Sequence, residues 1–131
     1  MKHYVYLFIA LLLTISFISC EKKSDTQKAG DLTPRAEQFV KMLVSGEYES
    51  AAQDFDETMK STLPADKLEI AWQSLIAKLG GYKRQLGLRQ TKEQGYDIVF
   101  VTCEFDKGNT DIKVVFNSAK EISGLWFLPA E

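Results

Sequence analysis

Carboxylates are the side chains in this sequence best suited to acid–base chemistry. Asp54, Asp56 and Glu57 form one acidic group within four residues. Asp97 and Glu104 flank an apolar segment, where a carboxylate facing a cavity could abstract a proton. The acidic group lacks the alternating oxygens and central glycine of a calcium loop. We interpret this group as a solvated helix end, and we predict no catalytic residue and no metal site.

Nucleophilic and metal-binding side chains are also scarce. His3 is the only histidine, and it lies in an N-terminal segment that we expect to be cleaved off. Its loss would remove Ser-His and Cys-His pairs and histidine metal ligands. Cys103 ends the apolar stretch IVFVTC, where a cysteine is most simply a buried small hydrophobe. No phosphate-binding glycine loop and no Gly-x-Ser-x-Gly elbow occurs. The sequence therefore favours a protein that is not an enzyme and has no cofactor.

The N-terminal segment has the pattern of a secretory signal. Lys2 and His3 give it a short basic start, and residues 5–18 form an apolar run of 14 residues that is interrupted only by Thr14 and Ser16. A membrane-spanning helix needs ~20 such residues, whereas 10–14 is typical of a signal-peptide core. We predict a signal peptide over residues 1–19.

Residues 17–20 (FISC) resemble the lipobox of bacterial lipoproteins, in which apolar residues and a small residue precede a cysteine. Ser19 fits the small position, while Phe17 stands where that family usually has leucine. The resemblance implies that the Cys20 thiol takes a diacylglycerol and that the bond before Cys20 is cleaved. This lipid would anchor the protein to a membrane. The alternative is ordinary signal cleavage, with Cys20 as a plain thiol.

The residues after Cys20 change abruptly in character. Residues 21–30 (EKKSDTQKAG) are charged and lack an apolar period, as expected of a flexible linker. We therefore expect a lipidated cysteine and tether over residues 20–31 and a single domain over residues 32–131. The expected location is the cell envelope: the protein would cross the inner membrane and be lipid-anchored on the periplasmic face or at the cell surface.

Composition excludes one class of partner. The chain has 131 residues, with 16 Lys and Arg against 18 Asp and Glu. Nucleic-acid binding normally requires a basic patch or a strongly basic domain. We expect no nucleic-acid partner.

Three helices are predicted ahead of the strands. The first begins at Thr33-Pro34, where a capping hydroxyl precedes a proline suited to the first helical position, and it ends at Gly46. The second covers Tyr48 to Met59, and the third runs from Pro64 to Leu79. Each carries one apolar stripe at helical spacing. The stripes comprise Ala36, Phe39, Val40 and Leu43; Ala51, Ala52, Phe55 and Met59; and Leu68, Ala71, Trp72, Leu75 and Leu79.

From Tyr82 onward the apolar period changes to two, which indicates strands. In the first strand, Tyr82, Leu86 and Leu88 are predicted to form the buried side. The second is apolar on both faces at its centre and is predicted to be a central strand. Short turns between consecutive strands predict an antiparallel meander, and helices followed by strands predict an α+β layer pair. The later strands are predicted over Tyr96 to Phe105, Thr110 to Phe116 and Ile122 to Leu128.

Four local patterns occur in an order that resembles a bacterial family of domains of unknown function. They are residues 39–51 (FVKMLVSGEYESA), 55–60 (FDETMK), 63–72 (LPADKLEIAW) and 124–129 (GLWFLP). Members occur in secreted proteins, alone or ahead of an α/β-hydrolase domain. The resemblance implies a fold like nuclear transport factor two, also called cystatin-like, with three N-terminal helices packed on a curved four-stranded antiparallel sheet. It implies no catalytic residue.

Large aromatic side chains are the remaining signal. Trp72, Tyr82, Tyr96, Phe100 and Trp126 are candidates for a pocket or an interface, although core packing is the favoured explanation of the two tryptophans. We expect a cell-envelope lipoprotein that binds an unknown protein, peptide or small apolar ligand without catalysis. One alternative is a small enzyme that uses a carboxylate in an apolar cavity. Another is a structural homodimer that pairs through the sheet face.

Overall fold

The computed structural model describes residues 30–130, in which four helices precede four strands. The strands form one sheet in the order β1-β2-β3-β4, and each neighbouring pair is antiparallel. The predicted α+β class and the antiparallel meander are therefore confirmed. The elements are α1 (Thr33–Ser45), α2 (Tyr48–Ala52), α3 (Glu57–Thr62), α4 (Ala65–Leu79), β1 (Tyr82–Glu93), β2 (Tyr96–Phe105), β3 (Gly108–Phe116) and β4 (Ile122–Pro129).

The core lies between the helices and one face of the sheet. Alternate residues of the two central strands face it, because successive strand side chains point to opposite faces. Trp72 of α4 packs against Phe105 and Phe127, with ring centroids 5.9 and 6.1 Å apart. The predicted stripe of α1 is fully buried, and Leu68 and Trp72 of the α4 stripe are buried as well. The sheet contributes Val99, Val101, Cys103, Phe105, Ile112, Val114, Phe116 and Ile122 to this core.

The second predicted helix, Tyr48 to Met59, is wrong, because the chain forms two short helices there. The break is held by a parallel bridge between Phe55 and Ile122. The Asp56 N–H donates to the Ile122 carbonyl (2.9 Å), and the Ile122 N–H donates to the Asp54 carbonyl (2.7 Å). The Asp56 carboxylate then accepts a hydrogen bond from the backbone N–H three residues later and caps α3. This bridge and cap outweigh the helical spacing of the apolar residues.

The start of α1 also differs from its predicted capping. Helix α1 begins at Thr33, and the Thr33 hydroxyl caps no backbone group. It donates instead to the Asp31 carboxylate, which also accepts from the Thr33 N–H. Gln90 of β1 bonds to the backbone of Gly30 and Leu32, at 2.8 Å each. The segment before α1 is therefore hydrogen-bonded to strand β1 of the sheet.

Strand β1 does not bury the side chains that its sequence pattern predicts. Leu86 and Leu88 are 45% and 36% exposed, so their predicted burial is wrong. The pairing register with β2 shifts between Tyr82 and Arg84 and again between Gln85 and Gly87. Each β-bulge reverses the side of the strand on which later residues point, so the two together restore the original alternation, and Leu88 lies opposite the core residue Val101. β1 lies at the edge of the sheet and none of its residues is fully buried, so alternation alone could not predict the exposure of Leu88.

Glycines end α4 at a contact with the turn between β2 and β3. Gly80 has a left-handed φ of 82°, and a Cβ there would lie 2.6 Å from the Asp106 Cβ. The Gly81 N–H donates to the Asp106 carboxylate at 2.7 Å. Only glycine fits this close approach without strain.

Several sequence predictions lie outside the described residues. They are the signal peptide over residues 1–19, lipidation of Cys20, and the tether as far as residue 29. Among residues 30–130, no helix is both long enough and apolar enough to span a membrane.

Candidate functional site

The sheet surface opposite the helices carries a group of charged and aromatic side chains. We name it the open face and define it by Arg89, Phe100, Asp111, Lys113 and Trp126. None of these residues belongs to the buried core cluster. Phe100 in β2 and Asp111 and Lys113 in β3 alternate with core residues along their strands. Strand geometry therefore directs these side chains away from the helices.

Four of these residues form a row across the whole sheet. Arg89 of β1 pairs with Phe100 of β2, Phe100 pairs with Lys113 of β3, and Lys113 pairs with Trp126 of β4. The Arg89 guanidinium carbon lies 4.0 Å from the Phe100 ring centroid. The Lys113 Nζ lies 5.1 Å from the Trp126 ring centroid. Both pairs are within cation–π range, and we name these four residues the cation–aromatic row.

Asp111 fixes one end of the row. Its carboxylate forms an ion pair with the Arg89 guanidinium at 3.0 Å and accepts a hydrogen bond from the Thr102 hydroxyl at 2.6 Å. Asp111 is only 4% exposed, and burial of a carboxylate is costly unless such partners replace the lost contacts with water. Arg89 is therefore neutralised and held over Phe100.

Trp126 rests on the backbone of its own strand. A Cβ added at Gly124 would overlap the Trp126 ring, so the glycine creates the space in which the indole lies. Trp126 is nevertheless 50% exposed. One side of the ring thus covers the sheet while part of the ring faces solvent, which suits an aromatic contact surface.

A shallow depression of about 510 Å³ lies beside the row. We name it the dish; its lining includes Arg89, Phe100, Asp111, Lys113, Leu128 and Pro129. The lining combines apolar surface with two cations and one carboxylate. Such a mixture suits a ligand that has both an apolar and a polar part.

The five predicted pocket or interface residues divide between the two sides of the sheet. Tyr96, Phe100 and Trp126 occupy open-face positions, although Tyr96 is at the far end of β2 beside the hairpin turn. Trp72 is buried in the core. Tyr82 packs edge-on against Phe105, also a core residue, and burial raises the pKa of Tyr82. The five residues therefore do not line one site.

Sequence reasoning missed the polar members of the open face. Arg89, Asp111 and Lys113 look like ordinary solvated strand residues in the sequence. Alternation within β3 does place Asp111 and Lys113 on one face. Their alignment with Arg89, however, depends on strand register, which two bulges in β1 shift.

The acidic group of the sequence has structural partners. Asp54 lies 3.4 Å from the Arg35 guanidinium, Asp56 caps α3, and Glu57 lies 3.8 Å from the Lys60 ammonium. Within residues 30–130, no group of three or more acidic, histidine or cysteine side chains could hold a metal ion.

The remaining candidates for acid–base chemistry are ion-paired or inert. Glu104 is 2.6 Å from the Arg84 guanidinium. The Lys120 ammonium donates to Asp97 at 2.8 Å and lowers the pKa of Asp97 below its usual 3.8, although burial opposes this shift. Burial raises the pKa of the Cys103 thiol to about 12, and the Asp111 charge adds to the effect. This environment keeps Cys103 protonated, as expected of a core cysteine.

A smaller cavity of about 200 Å³ opens between α4 and the sheet. Its lining includes Leu75, Lys78, Thr110 and Phe127, and none of its lining residues is acidic. An enzyme that uses one carboxylate in an apolar cavity would need an acid at such a place.

Taken together, the helices, the meander and the cation–aromatic row define an α+β domain whose sheet has a chemically mixed face opposite the helices. The chain belongs to a family described as "Protein of unknown function (DUF3887)", whose model matches residues 36–125.

One curated relative is Esterase EstD of Thermotoga maritima, which is 29% identical over 92 residues. These residues make up 70% of this chain but only 22% of the esterase, so the chain spans less than a quarter of that relative. No solved structure matches this chain at a significant level.

The two tryptophans should differ sharply in their contribution to stability. We expect Trp72→Ala to lower the free energy of unfolding by about 3 kcal/mol or more, because it leaves a cavity between two core rings. Trp126→Ala should cost about 1 kcal/mol or less, because the ring is half exposed. Urea denaturation measures both. Similar losses for the two variants would contradict this division between core and surface.

Asp97 should make stability depend on pH. Its pKa is lower in the folded state than in the unfolded state, so its contribution is present above about pH 4 and is lost as pH falls through the folded-state value. Asp97→Asn should therefore destabilise the protein at pH 7, and its deficit should shrink as pH falls to 3. Urea denaturation at each pH measures the deficit.

Lys120→Gln provides the control for this pH dependence. In that background the pH-dependent part of the Asp97→Asn effect should be much smaller, because the main cause of the low pKa is gone. A deficit that stays constant with pH in the wild-type background would contradict the assignment.

Proposed function

We propose that this chain is a cell-envelope lipoprotein whose domain is a non-catalytic binding module. The observation that carries the proposal is the cation–aromatic row, which presents two rings and two cations on a face outside the core. Aromatic and basic side chains are favoured at binding surfaces. The ligand is an apolar or amphiphilic molecule, or a segment of a protein, that contacts the open face.

The state of the acidic side chains and the thiol supports a binding role over catalysis. Asp97, Glu104 and Asp111 are each ion-paired, and Cys103 is a buried thiol of high pKa. A general base near neutral pH would need a raised carboxylate pKa, whereas that of Asp97 is lowered. The carboxylate enzyme is therefore the weaker hypothesis.

The esterase relative fits the same proposal. This chain matches only 22% of that protein, so the remaining 78% is available to supply hydrolysis there. We infer that the shared segment is an accessory module that binds but does not cleave.

We also assign the domain to the type of fold seen in nuclear transport factor two. Helices cover one face of an antiparallel sheet, and register shifts in β1 and between Val115 and Phe116 supply the irregularities that bend strands. A bent sheet of this kind leaves its second face free for contacts.

The lipid anchor rests on residues 17–20 and on the charged segment that follows them. Cells grown with a radioactive fatty acid should label the wild-type protein, and Cys20→Ala should abolish the label because the acceptor thiol is gone. Cys103→Ala is the matched control and should keep the label, since this thiol is buried in the fold. Equal labelling of wild type and Cys20→Ala would refute the anchor.

The absence of catalysis is tested with a chromogenic ester. The purified protein should hydrolyse p-nitrophenyl butyrate no faster than buffer at pH 7, because the carboxylates of Asp97, Glu104 and Asp111 are ion-paired and the Cys103 thiol is buried. Release of p-nitrophenol is followed by absorbance. Turnover above buffer that falls in Asp97→Asn or Glu104→Gln would establish the enzyme hypothesis instead.

A further inference from the structure

The dish has an imbalance of charge that specifies its ligand. Three charged side chains line it, and two of them, Arg89 and Asp111, neutralise each other at 3.0 Å. Lys113 forms no ion pair with any residue between 30 and 130. Within the row, its ammonium contacts the Trp126 ring. Among the described residues, the lining of the dish therefore carries one positive charge that no ion pair offsets.

The rest of the lining is largely apolar. Phe100, Leu128 and Pro129 line the dish together with Lys113, and the half-exposed Trp126 ring lies next to Lys113 in the row. A ligand that covered this surface with an apolar body would desolvate the ammonium, which is costly unless an anion pairs with it. A ligand with both an apolar body and one anionic group meets both requirements.

We propose that the dish binds a carboxylate amphiphile, a molecule with one carboxylate and an aliphatic or aromatic body. The carboxylate accepts a hydrogen bond from the Lys113 ammonium, and the body lies on Phe100, Leu128 and Pro129. This inference rests on the proposed binding function and names the class of ligand. Because Lys113 is the one cation of the described lining without an ion pair, a second anionic group on the ligand would have no charged partner there.

Charge also argues against a second copy of the chain as the occupant. A twofold interface uses the same patch on both partners. Each copy would bring its own Lys113 and Arg89 toward the same pair on the other copy, and only Asp111 would offset them. A small anion complements this face better than the face complements itself.

The test is calorimetric titration with decanoate, below its micelle concentration, of purified protein carrying Cys20→Ala. That substitution removes any lipid chains that would compete for the site. Decyltrimethylammonium has the same alkyl chain with a positive head and is the ligand control. We expect decanoate to bind and decyltrimethylammonium to bind at least tenfold more weakly.

Protein variants locate the site. Lys113→Gln should weaken decanoate binding about tenfold, because a charge-assisted hydrogen bond is lost. Lys113→Arg should restore most of it. Lys67→Gln removes an exposed lysine of α4 and should leave binding unchanged.

Three results would overturn the inference: no decanoate binding, equal binding of the two amphiphiles, or unchanged decanoate binding in Lys113→Gln. Sedimentation measures whether the protein forms a dimer. A dimer that does not bind decanoate would also overturn the inference, because a second copy of the chain would then occupy the dish. Any of these results rejects the carboxylate ligand alone. Turnover of p-nitrophenyl butyrate would instead reject the proposed non-catalytic function, so the two failures are distinguishable.

Discussion

The pairing register of the central strands controls what each face of this sheet presents. β2 and β3 pair without a shift from Asp97 opposite Phe116 to Phe105 opposite Gly108. Because side chains alternate, this one register places Val99, Val101 and their partners in the core and places Phe100 beside Lys113 on the open face. A slip of one residue would bring the charged row under the helices. The buried core therefore fixes the geometry of the open face.

Charges that lie close to the core are stabilised by specific partners rather than by solvent. Asp97 has Lys120 and Lys92, and Asp111 has Arg89 and Thr102. Among the described residues, every buried side-chain nitrogen and oxygen has a hydrogen-bond partner. The Arg35 guanidinium also donates to the Lys120 carbonyl, which connects the loop before β4 to α1. These pairs give the acidic side chains a structural role that accounts for their positions.

The sequence predicted the parts of the fold that depend on local periodicity. The stripes of α1 and α4 and the central position of β2 follow from spacing, and Gly46 ends α1 in a left-handed conformation as expected. The split of the second helix was not predictable in this way, because the bridge that causes it joins residues 55 and 122, far apart in sequence.

The candidate site was predictable only in part, for a related reason. Phe100 and Trp126 stood out as large aromatic residues, but Trp72 stood out equally and lies in the core. To distinguish the two tryptophans, one must know toward which side of the sheet each side chain points. To include Arg89 and Lys113 in the site, one must also know the pairing register of all three strand pairs. No short segment of the chain encodes that register.

The bulged strand β1 has a consequence for the behaviour of the protein in solution. It forms one edge of the sheet, and an unpaired edge is a template on which other chains can polymerise into fibrils. Five of its twelve residues are charged, namely Lys83, Arg84, Arg89, Lys92 and Glu93. These charges and the two irregularities in its register make an incoming strand a poor match. The exposed leucines of β1 can therefore be tolerated without fibril growth along this edge.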